Sequence, residues 1–231
     1  MSTNETAYPI AVQAVVIDLD GTLLDTAPDL AEAANRMLAE MQRPQVAMEV
    51  VNTYIGNGVD RLIKRVLTGE MYAEPDPQLF ARAKPIYDRH YLAGVSRYSR
   101  PFPGVVEGLE ALKRTGYRLA CITNKAEKFT LPLLKDTGLF DYFELILSGD
   151  SLPRTKPDPL PLLHACEKFG VSPEHMLLIG DSQNDALAAR AAGCHIFCVP
   201  YGYNHGEPVD QLDLDRVVES VFEASTLIRK A

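Results

Sequence analysis

Two pairs of closely spaced carboxylates are the residues of this chain best suited to chemistry. Asp18 and Asp20 lie in an Asp-Leu-Asp-Gly-Thr segment directly after an apolar run, and Asp181 and Asp185 follow a later apolar run. Carboxylates held together at a strand end repel one another unless a cation or a proton lies between them. Such a group of oxygen donors suits Mg²⁺, a hard cation that takes carboxylate, carbonyl and water ligands. The four acidic residues therefore predict a divalent-cation site.

Each acidic segment also has a simpler interpretation. Asp and Gly are common turn formers, so an isolated Asp-Gly pair would indicate only a turn. Asp181 or Asn184 could cap the helix that follows. A cap needs one such residue, however, and the segment from 180 to 185 supplies an excess. The excess favours a functional site.

A hydroxyl residue, an amide and a lysine follow two other strand-like runs. Thr123 and Asn124 end one run, and Lys156 lies in a Lys-Pro-Asp-Pro segment beyond the next. A hydroxyl and backbone N–H groups could hold phosphate oxygens, and the prolines fix the approach of the lysine. Taken singly, the threonine is a common strand residue and the lysine a common surface charge. Their order at successive strand ends favours a phosphate-binding site.

Five apolar, β-branched runs carry these residues and alternate with helical stretches. The runs are Ala14–Ile17, Arg118–Thr123, Phe143–Leu147, Met176–Ile179 and His195–Val199. Continuous apolar strands alternating with helices are typical of a parallel sheet covered on both faces. The sequence therefore predicts an α/β fold with a doubly wound, Rossmann-like parallel sheet. In such sheets ligands bind outside the carboxyl ends of the strands, where the polar residues are expected to converge.

One interval, residues 27–97, breaks this alternation. It has helical periodicity with Gly and Pro breaks, and its candidate helices are Asp29–Met41, Gln45–Thr53, Gly58–Thr68 and Pro77–Ala93. The interval predicts an α-helical cap inserted into a catalytic core made of residues 1–26 and 98–231. Hinges are expected at 24–27 and 98–104.

Composition narrows the possible partners. With 23 basic and 31 acidic residues the net charge is −8, which argues against nonspecific binding of nucleic acid. No apolar run has the length of a bilayer, so no membrane segment is expected. The four cysteines, Cys121, Cys166, Cys194 and Cys198, form no Cys-x-x-Cys pair and are expected to be reduced thiols of a cytoplasmic protein. We expect a monomer or a small homo-oligomer that binds a small molecule.

The motifs and their order along the chain resemble those of the haloacid-dehalogenase-like hydrolase superfamily, and the resemblance covers nearly the whole chain. The helical interval resembles the small α-helical cap of that superfamily. The resemblance implies a Mg²⁺-dependent phosphatase that forms an aspartyl-phosphate. Asp18 would attack phosphorus, and Asp20 would protonate the leaving group and then deprotonate water. Mg²⁺ would be held by the Asp18 carboxylate, the Asp20 carbonyl and Asp181.

The same resemblance implies roles for three more residues. Thr123 and Lys156 would bind the transferring phosphoryl group, and Asp185 would support the metal site. A dehalogenase of this superfamily needs neither a metal nor the second aspartate, Asp20. Its presence therefore points to phosphoryl transfer.

Two segments resemble members of the superfamily that hydrolyse 2-phosphoglycolate. They are residues 54–58 in the cap and residues 201–206 after the last strand-like run. Another small ester, such as a sugar phosphate, remains an alternative substrate. A phosphomutase and a receiver-like signalling module are less favoured alternatives to a phosphatase. In the second segment, Tyr203 and His205 are assigned the ordering of a loop and no catalytic role.

The cap segment could read the leaving group of the substrate. Gly56 and Gly58 could form a tight turn in which Asn57 and backbone N–H groups bind a small carboxylate, with Arg61 one turn further along. The simpler interpretation of Gly-Asn-Gly is a loop that connects two helices.

Overall fold

The computed structural model of the protein describes residues 8–231, so the first seven residues of the predicted core lie outside it. The described strands are β1 Ile10–Val12, β2 Ala14–Ile17, β3 Leu24–Asp25, β4 Arg100–Pro101, β5 Arg118–Ile122, β6 Leu145–Leu147, β7 Met176–Gly180, β8 His195–Cys198, β9 Arg216–Val217 and β10 Ile228–Lys230. The described α-helices are α1 Ala27–Glu40, α2 Met48–Tyr54, α3 Val59–Thr68, α4 Pro77–Leu92, α5 Val105–Thr115, α6 Glu127–Asp136, α7 Leu160–Phe169, α8 Gln183–Ala192 and α9 Val221–Thr226.

Six of these strands form a parallel sheet in the order β6-β5-β2-β7-β8-β9. The predicted α/β fold is confirmed, and each of the five apolar runs overlaps one of its strands. The sixth strand, Arg216–Val217, is short and exposed, so it lacks the apolar pattern by which the others were recognised. None of the helices within residues 8–231 is long and apolar enough to cross a bilayer.

The central strand β2 is buried on both faces because its side chains alternate between two apolar layers. Val15 and Ile17 pack into one cluster, and Ala14 and Val16 pack into the other. Helices α5, α6 and α9 contribute to the first cluster, and helices α7 and α8 to the second. The two layers explain why this strand reads as a continuous apolar run.

The register of the strands places their carboxyl ends at one level. Ile17 at the end of β2 pairs with Cys121 on one side and with Ile179 on the other. Residues that follow these strands therefore leave the sheet at the same edge. This edge is where the acidic segments and the Thr-Asn pair meet.

Helices α1 to α4 lie between two short linker strands that connect them to the sheet. The linkers β3 and β4 pair antiparallel, with Leu24 opposite Pro101. The buried carboxylate of Asp29, at the start of α1, accepts hydrogen bonds from the Ser99 backbone N–H at 2.7 Å, the Ser99 hydroxyl at 2.7 Å and the Tyr98 N–H at 3.0 Å. The outgoing and returning chains are thus held together at the base of the helical block.

Close packing of α5 against α9 gives a stability prediction. A Cβ atom at Gly108 would lie 2.6 Å from the backbone nitrogen of Phe222, so Gly108→Ala should destabilise the protein by about 1–3 kcal/mol despite the better helix propensity of alanine. Gly94→Ala is the matched control, because its Cβ would meet only the Arg97 side chain at 3.8 Å. Urea denaturation measures both, and an unchanged midpoint for Gly108→Ala would contradict the packing argument.

Candidate active site

A cavity lies at the carboxyl edge of the sheet, under the helical block. Its wall contains every residue predicted for the site except Asn57 and Arg61. Core segments that follow β2, β5, β6 and β7 supply the charged groups. The helical block supplies glycines and apolar side chains, including Leu30 and Ile55.

Lys156 is the central cation of this cavity. Its Nζ lies 2.9 Å from Asp18 Oδ1 and 2.6 Å from Asp185 Oδ1, and its side chain is 2 % exposed. Burial alone would lower the pKa of Lys156, but the two carboxylates outweigh burial and raise it. The lysine is therefore a fixed positive charge beside the predicted nucleophile.

Asp18 has the opposite electrostatic balance. Burial raises its pKa, Lys156 counteracts this rise, and the neighbouring carboxylates of Asp185 and Asp20 add to it, so that the pKa of Asp18 lies at about 7. An ionised Asp18 thus depends on positive charge in the cavity. Lys156 supplies one such charge.

Asp185 positions Lys156 and also closes the start of helix α8. The N-cap is Ser182, and its side chain and that of Asp185 form a reciprocal capping box. The Asp185 Oδ2 accepts the Ser182 hydroxyl at 2.6 Å and the Asp181 N–H at 3.3 Å. Neither Asp181 nor Asn184, the two capping residues considered from the sequence, is the N-cap, which leaves the Asp181 carboxylate in the cavity.

Asp181 is buried, its carboxylate accepts two hydrogen bonds, and two glycines leave room for it. Its carboxylate accepts the Thr22 hydroxyl at 2.9 Å and the Tyr203 backbone N–H at 2.5 Å. A Cβ at Gly21 or at Gly202 would lie within 2.3 Å of its Oδ2 atom. Burial, and then the charges of Asp18 and Asp185, raise the pKa of Asp181 well above its usual range.

Three of these carboxylates fit a divalent cation. Oxygen atoms of Asp18, Asp181 and Asp185 all lie within 4.8 Å of one another. The raised pKa values of Asp18 and Asp181 reflect buried negative charge, which a cation would offset. An all-oxygen donor set suits Mg²⁺ and related hard ions.

Asp20 is bound by a lysine that the sequence analysis missed. Lys125 Nζ lies 2.8 Å and 2.9 Å from the two carboxylate oxygens of Asp20, and the Thr26 hydroxyl donates to Asp20 Oδ1 at 2.6 Å. The available signal was position, since Lys125 directly follows the Thr-Asn pair at the end of β5. From the sequence alone, a lysine at this position is equally consistent with an exposed surface charge.

Asn124 and Asn184 connect the core to the helical block at one atom. Both amide groups donate to the carbonyl oxygen of Gly56, at 3.4 Å and 3.1 Å respectively. Asn124 also donates to the Lys156 carbonyl at 2.9 Å. Thr123 lines the cavity beside them.

Asn57 and Arg61 lie outside the cavity wall. Asn57 is exposed and its amide oxygen accepts a hydrogen bond from Arg65 at 2.7 Å, while Arg61 pairs with Glu74 at 2.7 Å. Arg65 is itself buried and also donates to the Tyr54 carbonyl at 2.7 Å. Through its bond with Arg65, Asn57 stabilises the loop that contains it.

Tyr203 joins the site to the outgoing linker. Besides its backbone bond to Asp181, its hydroxyl donates to Asp25 at 2.5 Å and accepts the N–H groups of Thr26 and Ala27 at 3.0 Å. His205 contacts the Thr53 carbonyl at 2.9 Å. Both residues were expected only to order a loop. Tyr203 in addition forms hydrogen bonds with the acidic cluster and with the linker.

The chain matches one family profile over most of its length. The sequence profile described as haloacid dehalogenase-like hydrolase matches residues 15–199. The chain belongs to this family and is a hydrolase.

Individual relatives are similar to it over almost their whole length. Proteins named phosphoglycolate phosphatase from Thiobacillus denitrificans and Nitrosospira multiformis are 68% and 58% identical to this chain, covering 97% of it and 99% of each relative. A crystal structure of a predicted phosphoglycolate phosphatase from Haemophilus somnus superposes with a TM-score of 0.86 at 38% identity, covering 91% of this chain and 95% of that one. The expected resemblance is confirmed.

The buried acidic cluster should reduce the stability of the metal-free protein. Because the pKa of Asp181 is raised on folding, the folded state binds its proton more tightly than the unfolded chain. Ionised Asp181 therefore costs stability above its unfolded pKa, and the cost grows as pH rises toward the folded pKa. With chelator present, Asp181→Asn should raise Tm by about 2–4 °C near neutral pH.

Thermal unfolding with chelator at about pH 5 and about pH 8 measures this effect, which should be smaller at the lower pH. Asp213→Asn is the control, because the Asp213 side chain is 82% exposed. A Tm for Asp181→Asn below that of the original protein at both pH values would mean that its hydrogen bonds outweigh the repulsion.

Proposed function

We propose that the protein is a Mg²⁺-dependent phosphatase that hydrolyses 2-phosphoglycolate to glycolate and phosphate through an aspartyl-phosphate. The observation that carries this proposal is the position of Asp18. Its carboxylate faces a small cavity, 2.9 Å from a buried lysine and within 4.8 Å of two further carboxylates. A nucleophilic carboxylate of this kind requires a cationic surrounding that both sustains its charge and receives an anionic substrate.

Different side chains carry out nucleophilic attack, proton transfer and phosphate binding. Asp18 attacks phosphorus and forms the phospho-aspartate while the ester oxygen leaves. Asp20 gives a proton to the leaving oxygen and then takes one from the attacking water. Lys156 and Thr123 bind the oxygens of the phosphoryl group, and the Lys156 charge favours the negative charge that develops there.

The metal completes this charge balance. Asp18, Asp181 and the Asp20 backbone carbonyl would hold Mg²⁺, with Asp185 in support. The bound ion would neutralise phosphate charge and act as a Lewis acid. Gly21 and Gly202 support this role, because a Cβ atom at either position would overlap with the Asp181 carboxylate.

The roof of the cavity supports a small substrate. Leu30, Ile55, Val59 and Leu62 line it together with the glycines of the 56–58 loop, so little space and little polar surface face the leaving group. A bulky sugar with several hydroxyls would leave those hydroxyls against apolar groups at a cost. The two-carbon leaving group of 2-phosphoglycolate has a single carboxylate, for which the backbone N–H groups of the 56–58 loop are the proposed partners, and the names of the relatives agree with this substrate.

We further propose residues 27–97 as the cap and 1–26 with 98–231 as the core. Closure of the cap over the acidic edge would exclude bulk water from the phosphorylated aspartate. The bonds from Asn124 and Asn184 to Gly56 belong to the closed arrangement. Catalysis in the cytoplasm fits the four free cysteines.

Substitution of the two catalytic carboxylates tests the chemistry. Asp18→Asn should abolish turnover, because an amide cannot form the acyl phosphate. Asp20→Asn should lower kcat by about 10²–10⁴ by removing proton transfer. Phosphate release with Mg²⁺ present measures both, with Asp213→Asn as a surface control. Near-original rates in either variant would overturn the assigned roles.

The substrate is tested by comparing phosphate esters. Specificity constants for 2-phosphoglycolate, glycerol phosphate and hexose phosphates should favour 2-phosphoglycolate by at least about 10-fold, the discrimination expected of a small apolar pocket. Chelator should abolish release, and Mg²⁺ should restore it. Equal turnover of the hexose phosphates would contradict the proposed substrate but leave the phosphatase chemistry standing.

A further inference from the structure

The second lysine of the cavity, Lys125, is held by contacts on both sides of the cavity. Its side chain is 2 % exposed. Its Nζ lies 2.8 Å and 2.9 Å from the two oxygens of Asp20. On its other side, the same atom lies 5.0 Å from the centroid of the Tyr91 ring, within the range of a cation–π interaction.

Tyr91 belongs to helix α4 of the helical block, whereas Lys125 and Asp20 belong to the sheet edge. The Tyr91 ring is fully buried and also packs against Phe129 of helix α6, with ring centroids 4.8 Å apart. Its hydroxyl has no hydrogen-bond partner within residues 8–231. The contact of this residue with the site is therefore made by the ring face, which covers the ammonium group of Lys125.

A carboxylate with one bonded oxygen can rotate about its Cβ–Cγ bond, whereas one with both oxygens bonded cannot do so without breaking contacts. Lys125 bonds both oxygens of Asp20, and Thr26 bonds Oδ1 a second time. We propose that Lys125 is a positioning residue for Asp20, and that Tyr91 of the cap keeps Lys125 in the position that bonds both oxygens. This inference rests on the proposed role of Asp20 in proton transfer.

The arrangement links cap closure to the geometry of proton transfer. With the Tyr91 ring in place, the ammonium group is screened from water and directed at Asp20. Removal of the ring exposes the ammonium to water, which competes with the carboxylate for its N–H groups. Misplacement of a catalytic group by about 1 Å can cost about 10²-fold in rate, so even partial loss of this contact should be measurable in kcat.

The other role open to a cation at this place is direct binding of the substrate carboxylate. The contacts of Lys125 favour positioning, because two of its three N–H donors bond the Asp20 oxygens and the Tyr91 ring covers the ammonium group. The two roles differ in their kinetics. A positioning residue changes kcat for every ester, whereas a carboxylate-binding residue changes KM for esters that carry a carboxylate.

The experiment compares Lys125→Met with the original protein on 2-phosphoglycolate and on 2-hydroxyethyl phosphate, an ester of the same length without the carboxylate. We expect kcat to fall by at least about tenfold on both esters, with KM changed by less than about threefold. Lys128→Met is the matched control, since Lys128 pairs with Asp88 of α4 at the surface. It should keep kcat within about twofold of the original.

Two results would overturn the inference. One is a kcat for Lys125→Met within twofold of the original on both esters. The other is a raised KM confined to 2-phosphoglycolate with kcat retained, which would assign Lys125 to the substrate. Failure of the original protein to hydrolyse 2-phosphoglycolate would contradict the proposed substrate, and the ratio on 2-hydroxyethyl phosphate would still decide the role of Lys125.

Tyr91 gives a second, independent measurement. Tyr91→Phe keeps the ring face and should keep kcat within about twofold of the original, whereas Tyr91→Leu should lower kcat on both esters by about tenfold. Thermal unfolding of the two variants separates a loss of folded protein from a loss of rate. Equal kcat values for the Phe and Leu variants would remove Tyr91 from the proposal.

Discussion

The ammonium group of Lys156, buried between the carboxylates of Asp18 and Asp185, is the interaction on which the site depends. Two carboxylates without this cation would repel each other in a region from which water is largely excluded. The same lysine fixes the loop after β6 against helix α8, because Asp185 is at once its partner and part of the capping box of that helix. The start of helix α8 and the buried positive charge next to Asp18 are thus held by one contact.

The sequence predicted those features that follow from periodicity and from strand ends. The apolar runs indicated the parallel sheet, and the order of Asp18, Thr123, Lys156 and Asp181 along it predicted their meeting at one edge. The hydrogen-bond partners of the side chains could not be predicted from the sequence. Lys125 and Tyr203 look like an ordinary surface charge and an ordinary loop residue, since only the packed structure determines which way a side chain points. Asn57 and Arg61 lie away from the cavity for the same reason.

Contacts between the helical block and the core differ in kind. Asp29 secures the returning linker at the base of the block, and Tyr203 ties the outgoing linker to the acidic cluster. Farther out, the block contacts the core through the Tyr91 ring, the carbonyls of Gly56 and Thr53, and the pair of Lys128 with Asp88. The base is held by several buried polar bonds, whereas the polar contacts farther out are partly buried or exposed. This distribution suits a block that pivots at its linkers while its upper edge makes and breaks contact.

The carbonyl of Gly56, which accepts both asparagines, has an evolutionary consequence. Because the acceptor is a backbone atom, docking does not depend on the side chains that line the roof. Residues such as Ile55 and Val59 are free to diverge, and with them the range of molecules accepted, while closure is retained. Gly56 itself is not free, because its φ of +129° is rarely adopted by other residues and a Cβ there would lie 3.2 Å from His205. A docking contact made by the backbone of Gly56 would therefore allow the lining of the roof, and with it the substrate specificity, to change.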